Sequence, residues 1–77
     1  MDLRKETIHG YRVVFDDGDK EGVWYIRGDL QRNEAKTLFE AAKKQGSAEF
    51  EDDYDRDWTL IYNRNDYTFT LCRRKRE

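Results

Sequence analysis

The densest chemistry in the chain lies in EFEDDYDRDW, residues 49–58, where six carboxylates and one arginine precede a tryptophan. Asp53, Asp55 and Asp57 form D-x-D-x-D, the first three ligand positions of a helix–loop–helix calcium site. Such a loop also needs glycine at its sixth position and a bidentate acid at its twelfth. Here those positions hold Trp58 and Arg64, so no metal site is expected. What remains is a loop of like charge. Glu51, Asp52, Asp53, Tyr54, Asp55 and Asp57 are read as candidates for contact with a protein partner of basic surface, because complementary charge speeds encounter.

Cations gather at the other extreme of the sequence. Arg73, Arg74, Lys75 and Arg76 give a tail of +4, against −5 over residues 49–57. Adjacent cations attract phosphates without reading sequence. Together with Arg12, Tyr25 and Arg27, placed on one face of an expected first hairpin, they define an alternative surface for RNA or single-stranded DNA. Bases on such a surface would stack on an aromatic ring. The negative net charge argues against nucleic acid as the first choice, since domains that bind it are usually basic. His9 and Cys72 are the one available imidazole–thiol pair. No third residue is expected to orient them, and glycine loops for phosphate and zinc spacings are absent from the sequence. A non-enzymatic module without cofactor is the expectation.

These residues must be held by few elements. YRVVF, residues 11–15, alternates large side chains, and VWYI, residues 23–26, is rich in β-formers. Joined through DDGDKEG, they predict a hairpin with Phe15 opposite Gly22, Val13 opposite Trp24 and Tyr11 opposite Ile26, all large groups on one face. The segment VVFDDGDKEGV resembles hairpin stretches of Tudor-like chromatin readers. Those are all-β barrels, and the helix that follows departs from that pattern, so no binding residue is carried across. A polar turn is the simpler reading.

NEAKTLFEAAKKQG predicts a helix over 34–45 capped by Asn33 and stopped at Gly46, with Ala35, Leu38, Phe39 and Ala42 as one apolar stripe. WTLIY and YTFTL alternate again. Joined through NRND, they predict Tyr62 opposite Tyr67, Leu60 opposite Phe69 and Trp58 opposite Leu71. A short strand near Ala48 and Phe50 places Phe50 opposite Trp58.

The expected architecture is therefore α+β: a small single domain, β-β-α-β-β-β, with a mostly antiparallel sheet and one helix packed on one face. Its core would comprise Tyr11, Val13, Phe15, Trp24, Ile26, Leu38, Phe39, Phe50, Trp58, Leu60, Tyr62, Phe69 and Leu71. Residues 1–6 read as a frayed end and 73–77 as a basic tail. Strand order is open, and a β-grasp-like order with first and last strands adjacent is one option.

Charged residues make up 42% of the 77, a composition that leans toward disorder, but the 14% aromatic content favours a folded core. One cysteine excludes an intramolecular disulfide and suits a reducing compartment, so a cytoplasmic location is expected. No apolar stretch nears the roughly 20 residues that span a bilayer, and the start lacks the apolar run of a signal peptide. A monomer or weak homodimer completes the expectation.

Overall fold

His9 and Gly10 close the first hairpin. Both have positive φ, 52° and 88°, as a two-residue type I′ turn requires, and its twist matches that of the flanking strands. In the computed structural model, which describes residues 3–74, this turn joins β1 (Leu3–Ile8) to β2 (Tyr11–Asp16). Their register runs without a break from Leu3 opposite Asp16 to Ile8 opposite Tyr11. The expected hairpin between residues 11–15 and 23–26 is thereby corrected: residues 3–8 take the place beside β2.

The segment expected as the second strand is helical. After a 3-10 turn (Asp17–Asp19), α1 (Lys20–Trp24) leads into a π-helical turn (Tyr25–Asp29). Helical spacing buries Gly22, Val23 and Ile26 on one side and turns Trp24 outward, 52% exposed. Trp24 is therefore no core residue, while Ile8 and Val23 are. Gly22 lies so close to the sheet that a methyl group there would stand 2.9 Å from Trp58 and from Leu71. Four β-formers fit a helix as readily as a strand when too few residues surround them to establish a period.

The long helix α2 (Arg32–Gln45) begins two residues before the expected start. Gln31 precedes it, and Glu34 Oε1 accepts from the Gln31 amide at 3.1 Å, so Asn33 lies inside the helix and does not cap it. The far end is as expected. Gly46 takes the left-handed conformation (φ 94°), donating its amide to the Ala42 carbonyl at 2.7 Å. Ala35, Phe39 and Ala42 are buried against the sheet, with Leu38 half-buried. Phe39 stacks on Tyr11 at 4.2 Å and meets Phe69 edge-on at 4.8 Å.

Three further strands follow: β3 (Ser47–Glu51), β4 (Asp57–Asn63) and β5 (Thr68–Arg74). Phe50 lies opposite Trp58, as expected. The β4–β5 register does not follow the expected one. Tyr62 faces Phe69, Leu60 faces Leu71 and Trp58 faces Arg73. Because the slip is by two residues, every side chain keeps its face. The cause is local to the turn. Asn63 donates through Nδ2 to Thr68 Oγ1 (3.1 Å) and Thr70 Oγ1 (2.8 Å), so it pairs inside the ladder. Tyr67 becomes the last loop residue, with φ 59° and its amide on the Asn63 carbonyl.

The order across the sheet is β1-β2-β5-β4-β3, with β2 and β5 parallel and the remaining pairs antiparallel. The fold is thus α+β, a five-stranded mixed sheet covered on one face by helices, in a β-β-α-β-β-β arrangement. The Tyr11 strand lies beside the last one, while Leu3 to Glu6 form most of the outermost strand. No helix among the described residues is long and apolar enough to cross a membrane.

Strand direction sorts the loops into two groups. The His9–Gly10 turn, the turn at residues 64–67 and the C-terminus of α2, whose Gly46 carbonyl accepts from the Tyr62 amide, gather at one end. The loop 52–56 and the Asp16–Asp19 turn gather at the other.

Candidate functional site

The loop between β3 and β4 is organised by one buried carboxylate. Asp52, only 6% exposed, accepts four hydrogen bonds. Its Oδ1 takes the amides of Tyr54 (2.9 Å) and Arg56 (3.0 Å), while its Oδ2 takes Arg56 Nε (2.6 Å) and the Trp58 indole Nε1 (3.0 Å). The Asp52 amide in turn donates to the Arg56 carbonyl at 3.1 Å. Burial pushes the Asp52 carboxyl up, but the indole, the two amides and the Arg56 side chain outweigh it and hold it at about 2. A carboxylate that accepts several N–H bonds favours its charged form in this way.

This inward carboxylate sets the direction of its neighbours. Asp53, Tyr54 and Asp55 project outward, Tyr54 being 76% exposed with the Arg56 guanidinium 5.1 Å from its ring centre. Asp55 takes positive φ (60°), which aspartate tolerates better than most residues. Of the expected contact residues, Asp52 therefore serves the loop's interior. Asp57 opens β4, its carboxylate 4.0 Å from Arg74, and Glu51 closes β3.

The helical segment lies against the strands that flank this loop. Tyr25 stacks on Phe50 at 5.9 Å, and Phe50 stacks on Trp58 at 6.5 Å. Burial raises the pKa of the Tyr25 hydroxyl, and the charge of Asp53 adds to the rise. Trp24, next in the chain and exposed, carries Lys20 Nζ 5.6 Å from its ring centre. On the neighbouring turn, burial and then the charges of Asp16 and Glu21 raise the Asp19 carboxyl, with Arg73 acting against them. The sequence did not mark these groups as part of one surface. Only the parallel pairing of β2 with β5 brings residues 16–21 and the β5 end together.

The residues proposed for nucleic acid do not form one surface. Arg12 projects from β2 on the sheet face away from the helices. Tyr25 and Arg27 belong to the π-helical turn on the covered face, where Arg27 bridges to Glu6 at 3.0 Å. Arg73 pairs with Trp58 in register, and Arg74 bridges to Glu49 at 3.3 Å. The basic tail thus begins inside β5 and partly neutralises the acidic end. Lys75 and Arg76 lie outside the described residues.

His9 and Cys72 are held apart. His9 sits in the first turn, its Nε2 donating to the Ile26 carbonyl at 3.2 Å. Cys72 lies near the opposite end of the parallel β2–β5 pair, its Sγ donating to the Thr59 carbonyl at 3.8 Å. The offset corresponds to about five residues of strand, roughly 16 Å. Burial raises the Cys72 thiol, as does the charge of Asp19. Among the described residues, no three His, Cys, Asp or Glu side chains converge as metal ligands.

No family model, curated protein or solved structure matches the chain.

Proposed function

We propose that the protein is a small non-enzymatic binding or regulatory module of the cytoplasm, a monomer or weak homodimer, that docks a basic protein surface through its acidic end. Asp53, Tyr54 and Asp55 supply the outward contact, with Trp24 on the adjoining helical segment as an aromatic anchor. The observation that carries the reading is the four-donor cage around Asp52. A loop already fixed by its own side chain loses little freedom on binding, so more of its contact energy appears as affinity. Tyrosine and tryptophan are the residue types that most often concentrate binding energy at interfaces.

The test is capture from lysate on immobilised protein. Replacing Asp53 and Asp55 together with asparagine, and separately Tyr54 with alanine, should release the partner while the unfolding transition stays in place. Complementary rim charges act mainly on association rate, so capture should also fall as salt rises. Retention of the same partner by the Asp53→Asn/Asp55→Asn protein would remove this loop from the interface.

A further inference from the structure

We propose that the end of the sheet opposite the acidic loop binds single-stranded nucleic acid, stacking a base on Tyr67 and holding phosphates with Arg32, Lys36 and Lys43. Two adjoining hollows, of about 290 and 270 Å³, lie there between α2 and the ends of β2, β4 and β5. Tyr11 lines both and makes them one strip. The first hollow adds Arg12, Lys43, Tyr62 and Tyr67, and the second His9, Arg32 and Lys36. Among the described residues, no acid lines either hollow. Arg12, Arg32 and Lys36 are exposed and form no ion pair among the described residues. Lys43 pairs with Glu40, at 4.0 Å. Glu40, which also accepts from the Tyr11 hydroxyl at 3.0 Å, and Asp66, the exposed residue before Tyr67, are acids that work against an anion here.

Tyr67 turns a basic strip into a site of definite chemistry. Its ring is 73% exposed, yet its backbone is left-handed at φ 59°. Glycine or asparagine takes that position without strain, and a bulky aromatic does not. Backbone strain at an exposed side chain with no packing to repay it points to a use for that side chain. A flat ring beside unpaired cations suits an unstacked base followed by its phosphates, because every base offers a π-face. A duplex hides those faces, and an acidic peptide would use the cations but leave the ring without a partner. The acidic residues lie mainly at the far end of the strands, so the net charge of −2 does not describe this surface.

The experiment is fluorescence anisotropy with a labelled oligo-dT of about twelve nucleotides, within the range such single-strand sites cover. Binding at low salt should weaken as salt rises, with a log–log slope near −2, as expected for about three phosphate contacts on a single strand. Tyr67→Ala should weaken binding about tenfold, the loss of one base–ring stack, while Tyr67→Phe keeps it. Lys36→Ala with Lys43→Ala should flatten the salt slope, and Glu40→Gln should tighten binding about twofold. Tyr67→Gly should raise the unfolding midpoint yet weaken binding, separating affinity from stability. The proposal is overturned by an absent anisotropy change at low salt, by Tyr67→Ala binding as the wild type does, or by poly-glutamate displacing the probe as well as unlabelled oligo-dT.

Discussion

Each end of the sheet presents an exposed tyrosine on a loop whose backbone visits the left-handed region, but the two loops are held by opposite means. At the acidic end the unusual conformation falls on Asp55, a residue type that accepts it, and Tyr54 rides beside it. Order there comes from a charge turned inward, with Asp52 taking four donors. At the basic end the left-handed residue is the tyrosine itself. That turn is held without a buried charge: Asn63 bonds two threonines, and the exposed carboxylate of Asp66 accepts from Thr68 Oγ1 at 2.7 Å. One loop is stabilised by a buried ionised group and the other carries strain at its most exposed ring. They should therefore respond differently to truncation, to acid and to glycine.

The largest difference is expected on removing the inward charge. Asp52→Ala leaves the Trp58 indole N–H without its acceptor inside the core and Arg56 without its counter-ion. Loss of about 3 kcal/mol of stability should follow in urea denaturation, in the range for breaking a buried pair. Amide signals of residues 53–57 should broaden or move while those of 63–68 stay put. Equal disturbance at both ends would mean that the loops are not independently held.

Acid probes the same contrast with the sequence intact. The Asp52 carboxyl is depressed from 3.8 to about 2 by folding. Its contribution is thus fully present above the unfolded value, near pH 4, and is lost as pH falls through about 2. The shift corresponds to about 2 kcal/mol. Unfolding measured between pH 5 and pH 2 should show this decline, and an Asp52→Asn protein should show less of it by that amount. A difference between the two proteins that does not change with pH in that window would dissociate the carboxylate from acid stability.

The smallest effect is a gain. Tyr67→Gly relieves the left-handed strain and should stabilise the protein by about 1 kcal/mol, the strain released being offset in part by the greater freedom of glycine when unfolded. An unchanged or lowered unfolding midpoint would show that the tyrosine ring contributes packing that its exposure conceals.

Side-chain period settled much of the fold. Trp58, Leu60 and Tyr62, and Phe69 and Leu71, lie on the core face that their alternation predicts, although the register is slipped by two. Period determines the face, whereas the partner opposite depends on how many residues the turn consumes. Nothing in NRNDY says that Tyr67 belongs to the loop. The candidate site was legible as composition alone. That residues 51–57 form a charged connection could be read directly, but Asp52 and Asp53 are adjacent and identical, and only the position of the Trp58 indole makes one a buried acceptor and the other a surface charge.

The sequence by itself determined the helix stripe of Ala35, Phe39 and Ala42, its glycine stop at Gly46, the Phe50–Trp58 pairing and the polar loop between them. All follow from interactions within a few residues or across one short connection. Tertiary structure decided the rest. Residues 3–8 displaced 23–26 from the side of β2 because a two-residue turn closes a hairpin with little loop entropy, and because helical spacing seats Gly22, Val23 and Ile26 on the sheet. The parallel contact of β2 with β5 then sorted charges distant in sequence into an acidic end and a basic strip. Local pattern has no access to such non-local pairing, where the two candidate surfaces arise.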